Sequence, residues 1–425
     1  MNTLYSSSVL LLGIAIGASS ALADTFNVYC VGSGDRPAIQ NAIDMASHND
    51  VVHIHGVCQL DGERLVIDKS HVTIRGDASD IDNDGRMDQW DTVLKGNGNI
   101  DDLLAGPYTN LGFHIGAVPA NDDDIEDVVI EHLQFQDFYL ALTVSPGVLA
   151  EENLHCDALQ VTDARASQVN VRNNRFVDNA NHFFLYGGAK STRFEYNQVE
   201  GGGGIPLASA TFALGKRTIC LADPDTGATS SIAIGMSDNL VVNDNRFTAV
   251  ATGTGLGDLE LVNARNSRIE ANDFEGDAQP LFLFGAINTE VEDNLMLDSE
   301  LEAVVLINAQ DTVLNENVIQ TAGTSGVFTL DLPPTHPVVQ LLGLPPSLDN
   351  RILCNHIEGA TNQGLIIIDG VNRIEKNRFS GNGLDILLLA PGNEVEVGPA
   401  DTVVDASGGN DITVDIKESR CAPEF

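Results

Sequence analysis

LFLFGAINTEVEDNLM, residues Leu281 to Met296, has neighbours built on its own plan: LELVNARNSRIEANDF at 259–274, VVLINAQDTVLNENVI at 304–319 and LIIIDGVNRIEKNRF at 365–379. Each runs strand, turn, strand, turn. A unit this short contains no helical period and no room for a crossover helix. Its first strands, Leu281–Phe284, Val304–Ile307 and Leu365–Ile368, are too apolar to stand alone. Each run must therefore stack on its own next copy, in parallel, at a rise of ~4.8 Å per coil. The expected architecture is a parallel β-helix.

An asparagine marks each unit. The copies begin at Asn174, Asn197, Asn245, Asn272, Asn294, Asn317, Asn355 and Asn377, each followed within two residues by an apolar side chain. The unit is about 22 to 23 residues, sometimes doubled or lengthened by an insertion. An asparagine side chain bonds backbone groups and tolerates left-handed dihedrals, so stacked copies are expected to form a ladder through the turns. The pattern resembles the right-handed β-helix, or pectin-lyase-like, superfamily from about Val51 to Val414. That resemblance is specific for fold and loose for activity. It implies an all-β, right-handed, single-stranded parallel β-helix of about 11 to 13 coils.

Domain organisation follows. Residues 1–23 read as a signal peptide: the apolar core Val9–Ile16 ends at Ala21-Leu22-Ala23, a small-x-small cleavage signal before Asp24, although no basic side chain precedes the core. That core is too short to remain as an anchor, so the expectation is a secreted protein, periplasmic or extracellular, with no membrane insertion after cleavage. Residues 24–50 read as an N-terminal cap, in which Asp35 caps a helix with Pro37 near its start and Ala38, Ile39, Ala42, Ile43 and Ala46 on one face. Residues 51–414 form the β-helix, with insertions at about 77–91, 201–231 and 332–349, and 415–425 form a tail. The last insertion contains Pro333, Pro334, Pro337, Pro345 and Pro346, which bar it from a central strand.

All six cysteines follow the leader, an even number that fits an oxidising compartment. Cys30–Cys58 is expected because it brackets the cap helix; Cys354–Cys421 would tie down the tail and Cys156–Cys220 would pin an insertion. No cysteine spacing matches a short zinc or redox motif.

The acidic stretch Asp80-Ile81-Asp82-Asn83-Asp84-Gly85-Arg86-Met87-Asp88-Gln89-Trp90-Asp91 places carboxylates at positions 1, 3, 5, 9 and 12 and glycine at 6. This is the spacing of an EF-hand-type calcium loop, with Arg86 at the backbone-carbonyl position 7. Aspartate at position 12 makes it more similar to dockerin-type loops than to sensor EF-hands. The expected cofactor is a structural Ca²⁺ held by Asp80, Asp82, Asp84, Arg86, Asp88 and Asp91; the bland reading is a solvated acidic loop. Trp90, the single tryptophan, is expected to pack the loop against a coil.

Acidic side chains number 61 against 22 basic, for a formal charge of −39. That balance argues against a nucleic-acid partner and against an anionic membrane. Catalytic signals are thin. The paired-aspartate and Gly-His-Gly motifs that the resemblance implies for polygalacturonases are absent, as is the arginine-proline motif of pectate lyases. The nearest catalytic candidates are Asp157, entering a strand, and His155, two residues earlier on the same face, with His132 and His182 expected to stack near them. A turn-capping role for Asp157 competes with the catalytic one. Two functions stay open: binding or processing of an extracellular polysaccharide or cell-surface glycan by a lyase, hydrolase or epimerase, and a non-catalytic adhesion or structural module. The discriminating feature is whether outward residues on one strand face cluster as carboxylate, histidine and arginine or stay aliphatic.

Overall fold

A computed structural model of the chain describes residues 23–32, 34–60, 64–96, 111–116, 124–138, 140–144, 147–149, 159–161, 166–179, 181–186, 189–202, 212–216, 238–249, 258–262, 264–415 and 421. Among them, three long parallel sheets of 14, 12 and 11 strands coil into a right-handed parallel β-helix. One coil shows the plan. Glu290–Glu292 lies in the 14-stranded sheet, Leu295–Leu297 in the 11-stranded sheet and Val304–Ile307 in the 12-stranded sheet. The chain then returns as Val313–Asn315, in register on Glu290–Glu292. Alternation along each strand sends Val291, Met296 and Leu306 inward, where they are buried.

The eight asparagines form one continuous ladder at the corner between the 14- and 11-stranded sheets. Asn174 donates Nδ2–H to Asn197 Oδ1 at 3.2 Å, and the relay runs through Asn245, Asn272, Asn294, Asn317 and Asn355 to Asn377 at 2.9–3.1 Å. Each step is a single coil, so the long Asn197–Asn245 interval is one lengthened unit rather than two. The asparagines do not themselves take left-handed dihedrals, contrary to the expectation. The residue before each does, as at Asn173, Tyr196, Asp244, Asp293 and Cys354. The ladder asparagine turns inward instead: in Asn294, Nδ2–H also reaches the Ile269 carbonyl at 3.0 Å.

Aromatic stacks fill the core, with Phe135 on Phe176 at 5.0 Å and Phe247 on Phe274 at 4.6 Å between ring centroids. Phe183 belongs to this core. Phe282 and Phe284 point outward from the 12-stranded sheet, because Leu281 and Leu283 take the inward positions. The outward Phe284 is packed by Val339 and Leu344 from the 332–349 segment, which contains a short helix, Pro337–Leu342. Buried Asp369 holds that segment down by accepting hydrogen bonds from Ser347 and Thr329 hydroxyls and, at 2.9 Å, from Asn372. Within 201–231, Phe212–Lys216 is a strand of the 12-stranded sheet.

At the N-terminal end, Thr25–Tyr29 pairs in parallel with Val51–His55, and the helix Asp35–Met45 lies between them in sequence. Ile39, Ala42, Ile43 and Ala46 are buried against the first coils, whereas Ala38 is exposed. Asp35 does not cap the helix. Gly34 occupies the cap position with φ 91°, and the Asp35 carboxylate accepts backbone N–H groups from Val31 (2.8 Å), Gly32 (3.1 Å) and Gln59 (3.1 Å). It ties the approach to the helix onto the first coil. The Cys30–Cys58 and Cys354–Cys421 disulfides are formed. Cys156, Cys220 and residues 1–22 lie outside the described residues. Among the described residues no helix is long and apolar enough to cross a membrane.

Candidate functional site

The outer face of the 14-stranded sheet is charged where its first coils meet. Parallel register aligns His53 with Arg75, Arg75 with Glu131, Glu131 with Arg172, and Arg172 with Glu195. Successive members of this column stand ~4.8 Å apart. Their chain neighbours Ile54, Ile74, Ile130, Val171 and Phe194 are buried in the core, which fixes the column as outward-facing.

Glu131 is the centre of the column and is only 2% exposed. It accepts Arg75 Nε–H at 2.6 Å and Arg172 Nε–H at 2.9 Å, and the second guanidinium nitrogens lie 2.5 and 2.8 Å from its oxygens. Burial pushes its carboxyl up, but the hydrogen bonds and charges of the two arginines outweigh burial and hold it below the usual glutamate range. Glu131 is thus a fixed anion that holds one guanidinium on each oxygen, Arg75 on Oε1 and Arg172 on Oε2, each through Nε and a terminal nitrogen. Both arginine side chains remain 43% exposed, so each presents N–H donors to solvent.

His132 follows Glu131 at the sheet corner, in the left-handed conformation with φ 63°. Desolvation lowers its pKa; Glu131 opposes this, while Arg75, Arg172 and His53 add to the lowering. The imidazole is therefore neutral at pH 7 and has a lone pair to accept a proton.

The acidic loop lies beside this face, along the corner between the 14- and 11-stranded sheets. It leaves the sheet at Asp77 as a hairpin, pairing Ala78–Ser79 with Gln89–Trp90. Trp90 packs against the solenoid: it is 8% exposed, donates Nε1–H to the Asn173 carbonyl at 2.9 Å, and has the Arg175 guanidinium 6.0 Å from its ring. Gln198 Nε2–H reaches the Met87 carbonyl at 3.2 Å, and Arg86 pairs with Asp244 at 3.5 Å and Asp273 at 3.7 Å. From the coil of Asp77 to that of Asp273 the loop crosses five rises, roughly 24 Å.

Inside the loop, Asp80 accepts N–H groups from Asn83 (2.7 Å) and Gly85 (3.0 Å), and Asp88 accepts that of Ile81 (2.7 Å). Gly85 has φ 92°, a conformation that a side chain would strain. Carboxylate oxygens of Asp80, Asp82 and Asp88 lie within 4.8 Å of one another. Asp84 and Asp91 stand outside that trio, Asp84 accepting Arg86 N–H and Asp91 accepting Gln89 Nε2–H, both at 2.8 Å. A backbone hydrogen bond from Asp84 lowers the Asp82 pKa, but desolvation and the charges of Asp84, Asp88 and Asp80 raise it further. An all-oxygen, mutually repelling donor set fits a hard cation such as Ca²⁺.

No family model matches the chain, and no curated protein matches it. Solved structures with a similar course include an alginate lyase from Paenibacillus sp., at 10% identity and TM-score 0.43, covering 92% of this chain and 95% of that one. The A-module of an Azotobacter vinelandii mannuronan C-5 epimerase follows 87% of this chain and 99% of its own, at 16% identity and TM-score 0.47. The catalytic domain of a GH87 α-1,3-glucanase covers 90% of this chain and 69% of its own, at 11% identity and TM-score 0.45. At such scores the chemistry of the site stands on its own residues.

Asp157 and His155 lie outside the described residues. His132 and His182 do not stack on one another: His132 sits at the corner after the 14-stranded sheet, whereas His182 lies within Asn181–Tyr186 of the 12-stranded sheet. His182 is fully buried, with Nδ1 3.1 Å from Asn179 Nδ2 and Nε2 3.0 Å from the Gly201 carbonyl, so it is a structural residue. Sequence reasoning missed Arg75, Glu131 and Arg172 altogether. Their charges alternate across three coils, a signal that appears only once the coils are placed in register.

Proposed function

We propose that the protein is secreted and acts on an anionic extracellular polysaccharide, bound across the outer face of the 14-stranded sheet beside a calcium-ordered acidic loop. The observation that carries this reading is the Arg75–Glu131–Arg172 triplet with neutral His132 at its edge. Lyase or epimerase chemistry on a uronate requires neutralisation of the sugar carboxylate and removal of the adjacent ring proton. The exposed guanidinium edges of Arg75 and Arg172 suit the first task, since a planar fork matches a carboxylate. His132 suits the second. Glu131 positions both arginines and does not act as an acid.

The net charge of −39 repels a polyanion at long range, and paired arginines with a bound divalent cation offset that repulsion locally. Calcium would be held by Asp80, Asp82 and Asp88, with Asp84, Asp91 and the Arg86 carbonyl as the further donors of the loop. It would supply rigidity to the hairpin beside the site. Export is supported by the leader-like residues 1–23 and by two disulfides, which persist in oxidising compartments.

The test is a panel of anionic and neutral polysaccharides incubated with the mature protein, with and without calcium, read by unsaturated-uronate absorbance, new reducing ends and NMR of C5 configuration. Turnover of a polyuronate that is lost in His132→Ala supports the reading. Turnover lost instead in Asp157→Asn moves the catalytic centre to Asp157 and His155. Absence of both turnover and saccharide binding overturns it in favour of an adhesive or structural module.

A further inference from the structure

We infer that His53, His55 and Asp77 form a binding site for a first-row divalent transition metal, Zn²⁺ foremost, separate from the calcium loop. His53 and His55 are alternate residues of the strand Val51–His55 and so project from the same outward face. The next strand begins Val51↔Thr73 and reaches His53↔Arg75, and two residues further on Asp77 comes to lie opposite His55. One ligand atom from each of the three lies within 4.8 Å of the other two. Specifically, Asp77 Oδ1 is 2.8 Å from His53 Nε2, and Asp77 Oδ2 is 2.8 Å from His55 Nδ1.

The arrangement around His55 fixes which nitrogen faces Asp77 with a lone pair. His55 Nε2 is 3.0 Å from Asn27 Oδ1 on the preceding strand. An amide oxygen only accepts, so Nε2 carries the hydrogen and Nδ1 is free to ligate. The Tyr29 ring stacks on the imidazole at 4.6 Å and 15°, holding its plane. Nδ1 and a carboxylate oxygen 2.8 Å apart require a cation between them, either a proton or a metal ion. A ligating histidine whose other N–H is anchored to a fixed oxygen is the usual outer-shell design of metal sites.

Distances and donor types select the ion. Zinc bonds of ~2.0–2.2 Å in tetrahedral geometry separate adjacent ligand atoms by roughly 3.3 Å. The present separations need to open by only about half an ångström, within the reach of side-chain rotation. Two imidazole nitrogens and one carboxylate suit Zn²⁺, Co²⁺ or Ni²⁺ better than Ca²⁺, which prefers oxygen. Three protein ligands leave a fourth position open, and the register partner of His53 is Arg75, one edge of the triplet described above. An ion here would sit at the end of the same outward face. The site itself does not depend on that function, because metal uptake is measured without saccharide.

The experiment is titration of the EDTA-treated mature protein with Zn²⁺ by calorimetry and with Co²⁺ by visible absorption, both in excess Ca²⁺ so that the acidic loop is occupied. Expected is one equivalent of Zn²⁺ and an intense tetrahedral Co²⁺ spectrum. His55→Ala and Asp77→Asn should abolish both, and Asn27→Ala should weaken binding ~10–100-fold through the lost anchor. Circular dichroism verifies that each variant is folded. A second histidine pair, His48 and His71, lies elsewhere on the surface with ring centroids 4.1 Å apart and serves as the control. No uptake by the wild-type protein, or uptake that survives His55→Ala and disappears in His71→Ala, overturns the assignment.

Discussion

Trp90 donates its indole N–H to the Asn173 carbonyl at 2.9 Å, a bond that spans 83 residues and two coils of the solenoid. As the single tryptophan, it reports on the whole acidic hairpin. Calcium should therefore raise the melting temperature and shift tryptophan emission together. At a concentration 100-fold above Kd the stabilisation should be about 2.7 kcal/mol. Asp80→Asn with Asp82→Asn should remove both responses. A calcium-induced rise in melting temperature with unchanged emission would place the ion outside this loop.

Glu131 sits between two arginines with almost no access to water, its single charge offsetting one of their two. Replacing it with glutamine leaves two guanidinia facing each other without the anion that holds them. Because both guanidinia are 43% exposed and water takes up part of the loss, the cost should be about 1.5–3 kcal/mol, measurable by chemical denaturation. Arg172→Lys keeps the charge and loses the fork. It should fold normally and raise the KM for a polyuronate by ~10-fold with a smaller change in kcat, since uniform substrate binding is what it removes.

The asparagine ladder should be uneven in its sensitivity to mutation. Asn294 is buried and receives the Asn272 amide while donating to Ile269, Glu292 and Asn317. Alanine there strands several buried polar groups at ~1–3 kcal/mol each, less whatever water recovers. The expected loss is about 3 kcal/mol in denaturant unfolding. Asn377→Ala lies near the last coils, where fewer coils depend on the ladder, and should cost less.

The ladder was legible in sequence because a solenoid repeats one local environment, so a single side chain recurs at one spacing. The charged outer face was not, for the opposite reason. The marker begins at Asn174; one coil earlier the equivalent corner holds Leu133, whose N–H is the first to be accepted by an asparagine of the ladder. The coils carrying Arg75 and Glu131 thus lack the residue that would have set their register. Their separations, 56 residues from Arg75 to Glu131 and 41 from Glu131 to Arg172, are also swollen by insertions. His55 and Asp77 are the exception: they are 22 residues apart, one unmodified repeat, and adding a repeat length to each outward histidine would have found the pair. Asp35 misled because an acidic residue before an apolar helical face has the appearance of a cap. Its carboxylate was committed to the preceding turn and to Gln59, contacts that no local pattern announces.

Two fully buried groups should bend the stability curve from opposite sides. Burial lowers the His182 pKa to about 4 from the usual 6.5, and the Gly201 carbonyl only partly opposes it. A histidine whose folded pKa is depressed stabilises the fold above its unfolded pKa and loses that contribution as pH falls, because the unfolded chain binds the proton first. The loss should run from pH 6.5 down to about 4 with a ceiling of ~3 kcal/mol. His182→Gln should flatten that slope in denaturant midpoints across the range. Asp258 behaves in the reverse sense. Burial, with the charges of Asp277 and Glu300, pushes its carboxyl well above the usual range. Its contribution is fully present below the unfolded aspartate pKa and is lost as pH rises through the folded value. Asp258→Asn should therefore stabilise the protein at neutral and alkaline pH while changing little in acid. An Asp258→Asn variant that is destabilised equally at every pH would show that the carboxyl is needed for packing rather than merely tolerated as a neutral acid.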